Sequence, residues 1–231
     1  MRSRTFSTIL FLGIALTLLT ACTALIERAG DLKTVAGSGN VVTETRPVSG
    51  FSAVSLRGMG SVIIDQNGSE SLQISADDNF LPYLKTEVRG DTLYIEASDD
   101  AEGVVFTNVT DLTFRINAAA LEAIELAGAG SIEVNDLDTE TWRVTVPGAG
   151  SITVSGRTAE QTVEMEGAGS YNAENLESQE ATIRSSGAGM AVVRVSDKLD
   201  VTIEGLGSVQ YIGSPVVTQE INGLGSVSQR E

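Results

Sequence analysis

Few side chains in this sequence can do chemistry. The 231-residue chain has no histidine and one cysteine, Cys22. Without imidazole, Ser-His-Asp triads, histidine metal sites and imidazole acid–base steps are excluded together. Carboxylates remain, with 31 Asp and Glu against 15 Lys and Arg. Asp77-Asp78, Asp99-Asp100 and Asp136 with Asp138 are the close pairs, candidates for a divalent cation or for two-carboxylate glycoside chemistry. Glycan-cleaving sites also need aromatic and basic platforms. The single tryptophan, Trp142, points inward by alternation, and Asp136 and Asp138 fall in a turn, where acids are ordinary turn formers. The expectation is a protein that is not an enzyme and holds no cofactor or metal. The alternative is a carbohydrate-active enzyme or glycan-binding module, recognisable by a cleft where two or more carboxylates and an arginine converge.

Glycine supplies the next pattern. Gly-x-Gly-Ser occurs at Gly58 and Gly60, Gly128 and Gly130, Gly148 and Gly150, Gly167 and Gly169, Gly205 and Gly207, and Gly223 and Gly225. Gly187 and Gly189 form the same unit ending in Met190. Gly37-Ser38-Gly39-Asn40 reads as a degenerate first copy. A dinucleotide fingerprint needs a third glycine opening a helix, and a P-loop needs Gly-Lys-Ser/Thr. Calcium-binding nonapeptides need an aspartate every nine residues. None of these follows the pairs, so the glycines are read as structural.

At the other end of the chemistry stands Cys22. Arg2 and Arg4 precede an apolar run from Ile9 to Leu19, which is signal length and short of the roughly 20 apolar residues a membrane span needs. Leu19-Thr20-Ala21-Cys22 resembles the bacterial lipobox, which implies lipid on the Cys22 thiol and cleavage before it. Residues 1–21 are then a lipoprotein signal peptide and 22–36 a tether. Multiple acyl chains hold firmly where one binds only marginally. Thr23 in place of an aspartate favours the outer membrane if the cell is Gram-negative. Removing Arg2 and Arg4 leaves 13 basic residues against 31 acidic, a net charge of −18. That charge repels nucleic acid and anionic head groups.

The elements that carry these residues are strands. From Gly128 the first glycines are 20, 19, 20, 18 and 18 residues apart. Around them apolar residues alternate with polar ones, as in Trp142, Val144, Val146, Gly148, Gly150, Ile152 and Val154, the period of strands with one buried face. The glycines keep the buried parity, as a sharp inward bend without room for a side chain would require. Each repeat therefore reads as strand, glycine corner, strand and polar turn. The turns fall at Asn135-Asp136, Ser155-Gly156-Arg157, Asn172 to Asn175 and Ser196-Asp197-Lys198. The fold class is all-β, a parallel β-helix (β-solenoid) with about 18–21 residues per coil over residues 37–231. Its coils would stack about 4.8 Å apart, and about ten of them would make a rod on the order of 50 Å. An irregular region at about 65–120 lacks the glycine pair but still reads as strands, with a hairpin turn at Arg89-Gly90-Asp91. The serines after the glycines would form an outward ladder.

Gly50-Phe-Ser-Ala-Val-Ser-Leu56, Gly58-Met-Gly60-Ser-Val62, Leu72-Gln-Ile-Ser-Ala-Asp-Asp-Asn79, Gly90-Asp-Thr-Leu-Tyr-Ile95 and the later Gly-Ala-Gly-Ser units resemble the "putative auto-transporter adhesin, head GIN domain" family. The resemblance runs from about Phe51 to Ser228. It implies a right-handed, single-stranded β-helix in a bacterial envelope protein of undetermined molecular function, and it supplies no binding residues. The expected function is adhesion or scaffolding by a lipid-anchored solenoid in the cell envelope, or else a structural envelope component without a specific ligand. Expected partners are the membrane through the N-terminal lipid, a surface polysaccharide or an envelope protein, and not nucleic acid. Exposed ends of a solenoid are edges on which an oligomer can form. The charged Arg230-Glu231 is the expected guard there, and the oligomeric state stays open.

Overall fold

The computed structural model describes residues 32–230; the leader, Cys22 and most of the tether lie outside the described residues. The described chain is almost entirely strand. In order these are β1 Lys33–Ala36, β2 Val41–Arg46, β3 Ala53–Leu56, β4 Met59–Gln66, β5 Ser71–Asp77, β6 Leu84–Arg89, β7 Thr92–Ala97, β8 Val104–Thr107, β9 Leu112–Ala118, β10 Ala123–Leu126, β11 Ala129–Val146, β12 Ala149–Met165, β13 Ala168–Ser185, β14 Met190–Ile203, β15 Ser208–Ile212, β16 Val216–Ile221 and β17 Ser226–Gln229. Two compact units result. In the smaller, the chain up to Ala36 with Glu102–Asn108, β1 pairs parallel with β8. The larger, Gly37–Ala101 with Val109–Glu231, is a β-solenoid of about five turns.

The turns stack in parallel register. Ile124, Val144, Val163, Ile183 and Val201 form one inward column. Ile132, Ile152, Tyr171, Ala191 and Val209 form another across the glycine corner. All ten are at most 2% exposed. Burying such columns drives the fold, at roughly 25 cal/mol per Å² of apolar surface. One polar chain crosses this interior. Trp142 Nε1 donates to the Tyr171 hydroxyl (3.2 Å), which donates to Gln161 Oε1 (3.0 Å), while Gln161 Nε2 donates to Ser178 Oγ (2.7 Å) and Ser178 to the Arg194 carbonyl (2.7 Å). Burial pushes the Tyr171 phenol well up, so it stays a neutral donor.

Three expectations are corrected. The polar turns are themselves a third stacked face: Leu137, Gly156 and Leu176 pair in register, as do Thr139, Thr158 and Ser178. The chain enters that face through Asp136, at a left-handed φ of 56°. Turns number about five rather than ten, because the Gly58 rung lies directly beneath the Gly128 rung. The intervening residues therefore add no regular coils. Strand β9 extends one ladder below β4, then β5 and β2 close it antiparallel; β7 extends the other below β3, and β6 closes that antiparallel. Gly37-Ser38-Gly39-Asn40 is not a coil corner. It is a loop before β2, with Gly39 at φ 78° and its N–H donated to Asp77 Oδ1 at 2.7 Å.

At the glycine pairs, expected at an inward bend with no room for a side chain, what excludes the side chain differs along the stack. At the first glycines the side chain is excluded by the backbone of the rung below, not by a crowded interior. A Cβ on Gly167 would stand 1.9 Å from the Gly148 carbonyl oxygen, and one on Gly128 would meet Gly58 O even more closely. Gly148, Gly187, Gly205 and Gly223 sit over the preceding first glycine in the same way. That close approach lets the corner keep its hydrogen bonds: Ala149 N–H to Gly128 O (3.0 Å), Ala168 to Gly148 (3.1 Å), Ala188 to Gly167 (3.0 Å) and Leu206 to Gly187 (2.9 Å).

The second glycines differ along the stack. Gly130 is limited as the first glycines are: a Cβ on it would stand 2.1 Å from the Gly60 carbonyl oxygen and 3.1 Å from Gly60 N. Gly150 repeats that overlap against Gly130 O and also takes φ 151°. Gly60 takes φ 129°, over Leu112 and Phe114. Farther along, the interior does fill the space, as the inward bend requires. Gly169, Gly189 and Gly207 make room for the side chains of Val146, Met165 and Ser185, and Gly225 for Ile203 together with Gly207 O.

Gly58 has nothing beneath it nearer than 4.0 Å. Gly58→Ala should therefore leave the Tm within about a degree, while Gly167→Ala should cost about 1–3 kcal/mol through forced displacement and lower the Tm by several degrees. Thermal unfolding followed by circular dichroism checks the pair.

Candidate functional site

The fold gathers the repeat glycines, Gly58 and Gly60 through Gly128 and Gly130 to Gly223 and Gly225, into one corner and scatters the carboxylate pairs. Asp77 and Asp78 are used up in holding loops. Asp77, fully buried, accepts from Gly39 N–H and Thr110 N–H (2.8 Å); Asp78 accepts from Ser38 Oγ and Asn40 Nδ2 (2.5 and 2.9 Å). Asp99 and Asp100 sit in a 3-10 turn, Asp99–Ala101. Among the described residues no group of three or more His, Cys, Asp or Glu could hold a metal. Cys22 lies outside the described residues.

Two grooves run along the turns, with opposite electrostatics. The first follows the glycine corner, has a volume of about 980 Å³ and is lined only by glycine, alanine, serine, methionine and leucine. Its floor is bare glycine backbone. Beside it, in register, run Ser61, Ser131, Ser151, Ser170, Met190, Ser208 and Ser226. The serines point outward, as the alternation predicts, and Ser131 Oγ donates to Ser61 Oγ at 3.1 Å. The next outward row reads Ile63, Glu133, Thr153, Asn172, Val192, Gln210 and Ser228. One acid in two rows is unusual for a chain of net charge −16. This surface offers hydroxyls, methyls and amides at the rung spacing, which suits an extended, uncharged ligand. The serines were legible in the sequence; the neutrality of the whole face was not, because its residues are about 20 apart in the chain.

The second groove, about 830 Å³, lies on the third face. Asp138, Arg157, Glu177 and Arg194 stack in register there, so charge alternates rung by rung. Arg157 grips the Asp138 carboxylate with Nε (3.0 Å) and Nη2 (2.6 Å), and Arg194 Nε donates to the Glu174 carbonyl (2.7 Å). Glu140 completes the acidic lining. The composition sought for a glycan-cleaving cleft, carboxylates beside an arginine, is thus present here. Its chemistry points elsewhere: the Arg157 bonds hold the Asp138 carboxyl below its ordinary range, the opposite of what a general acid needs. Asp138 is instead matched to Arg157 on the next rung.

A family model described as "putative auto-transporter adhesin, head GIN domain" matches residues 50–215. Among solved structures, a "putative adhesin" from Bacteroides fragilis aligns with TM-score 0.66 at 20% identity, covering 85% of this chain and all of its own. A "putative lipid binding protein" from Parabacteroides distasonis aligns with TM-score 0.49 at 19% identity, covering 86% and 100%. A "putative adhesin" from Parabacteroides merdae aligns with TM-score 0.44 at 20% identity, covering 86% and 99%. At 20% identity the likeness to the Bacteroides fragilis protein speaks for the fold alone. Comparison with curated proteins gives no match.

The Asp77 latch yields a pH dependence. The Thr110 N–H is the main cause that lowers its carboxyl below the ordinary 3.8, with Gly39 helping and desolvation opposing. A carboxylate with a lower folded than unfolded pKa contributes fully above the unfolded value and loses that contribution as the folded group is protonated. Stability should therefore hold above about pH 4 and fall on acidification below it. In Asp77→Asn the fall should flatten, starting from a lower neutral-pH stability. Tm measured against pH for both chains checks this.

Proposed function

Because the chain belongs to the "putative auto-transporter adhesin, head GIN domain" family, we propose that it is an adhesin-like envelope protein whose contact surface is the uncharged face along the glycine corner. The observation that carries this reading is the segregation of charge. A strongly acidic protein keeps one long face of serine, alanine, threonine and amide side chains, with Glu133 the one acid in its two central rows. Regular solenoid faces suit extended partners. The acidic body disfavours anionic polymers, so the ligand class is an uncharged surface polysaccharide, bound through hydroxyl hydrogen bonds and methyl contacts. Such binding is tolerant of salt, since it draws little on charge.

The anchor in this reading is lipid on Cys22. Its support is the short apolar run, the Leu19-Thr20-Ala21-Cys22 sequence and the absence of any other cysteine. Among the described residues no helix is long and apolar enough to cross a membrane. Palmitate fed to producing cells should label the wild-type chain and leave Cys22→Ser unlabelled; label retained in the variant overturns the anchor.

Binding of the full chain to arrayed neutral and anionic envelope polysaccharides tests the contact surface. The expected result is saturable, salt-tolerant binding to a neutral class, weakened at least tenfold by Ser151→Asp with Ser170→Asp at unchanged Tm. Binding that ignores these exposed substitutions, or no binding to any class, overturns it. New reducing ends in the bound polysaccharide would make the protein an enzyme instead.

A further inference from the structure

The two ends of the solenoid are finished differently. At the first end one ladder closes on β5, which runs against the rungs, and then on β2 at the edge; the other closes on β6, which runs against them. Both edge strands carry charge. Arg46 pairs with Glu44 at 2.7 Å, Lys85 with Glu87 at 3.1 Å, and Arg89 with Glu96 at 2.8 Å. Charged side chains are one way in which sheets blunt an edge against further pairing.

The far end carries little charge. The last rung is β16 and β17, paired on one side with β14 and β15, and nothing among the described residues pairs with their other side. Its inward residues lack the cover every earlier rung has. Ile221 is 39% exposed where its counterpart Ile203 is fully buried, and Val217 and Val227 are half-buried where Leu199 and Val209 are at most 1% exposed. Val216 and Leu224 add apolar surface at 74% and 82% exposure. The rung is also nearly without charge: from Val216 to Gln229 the one ionised side chain is Glu220. Of the expected guard, Glu231 lies outside the described residues and Arg230 is turned away. Arg230 folds back to Glu174 (2.8 Å), and its N–H bonds the Tyr211 carbonyl.

We propose that the last rung is a homotypic docking surface, where two copies of this chain meet end to end about a two-fold axis. Charge selects the occupant. Two strongly acidic bodies repel side by side, but their neutral ends can meet while the acidic flanks point apart. The guarded first end bars a head-to-tail filament, so the contact is isologous and closes as a dimer. The open edge hydrogen-bonding groups then pair antiparallel across the axis, and Val217, Ile221 and Val227 gain the cover they lack. Within this unit the chain enters through Gly37 and β2 at the guarded end.

Sedimentation equilibrium of the full chain in density-matched detergent tests the pairing. Twice the mass of the monomer is expected, with Val216→Asp and Leu224→Asp together weakening self-association at least tenfold. Both sites are exposed, so circular dichroism and Tm should not change. Glu87→Lys at the guarded end should leave the dimer intact. A monomer at about 100 μM, or a dimer lost with Glu87→Lys but kept with the end substitutions, overturns the proposal. A chain that dimerises but carries no lipid overturns the anchor alone and leaves the pairing standing.

Discussion

Each rung of this solenoid rests on a carbonyl oxygen of the rung below, at the one corner where no side chain fits between them. The Gly-x-Gly corner turns the chain without breaking its hydrogen-bond ladder, because the middle residue donates to the first glycine of the preceding rung at about 3 Å. A Cβ on the first glycine of the donating rung would stand roughly 2 Å from the same oxygen. A bend that would ordinarily leave backbone groups to water is thus made part of the sheet, where buried backbone groups must be paired. The stacking of the inward columns depends on it, since a corner held open by a methyl group would separate the rungs on both sides.

That constraint also shapes the outer surface. A corner of bare backbone is a groove, and the residues beside it repeat with the same register, so small neutral side chains accumulate along one face. Charge is displaced to the other faces, where like and unlike groups stack a rung apart. On the third face the sequence of acids and bases alternates, Asp138, Arg157, Glu177, Arg194, which avoids the like-charge contacts that parallel in-register stacking imposes. Asp138 is a carboxylate spent on that ladder, and Asp77 one spent on a latch. Neither is left free for acid chemistry, although both drew attention as members of acidic pairs.

Much of this was determined by the sequence alone. Period-two alternation around glycine pairs about 20 residues apart specified parallel coils, the inward Trp142 and the outward serines, because a strand's faces follow from parity and a repeat cannot bury its face without neighbours. Only the tertiary structure decided the rest. Which strand of the long intervening stretch runs against the rungs is set by pairing partners far away in the chain, and the placement of Gly58 beneath Gly128 reduced about ten coils to about five. The polar turns became a third face because Asp136 and Gly156 adopt left-handed angles that place the following residues in register. The reason for the first glycines, and for Gly130 among the second, was likewise hidden, since the atom that excludes each side chain belongs to the previous rung. Local pattern fixes how one rung is made; contact between rungs, which no single repeat contains, fixes what the rungs leave exposed.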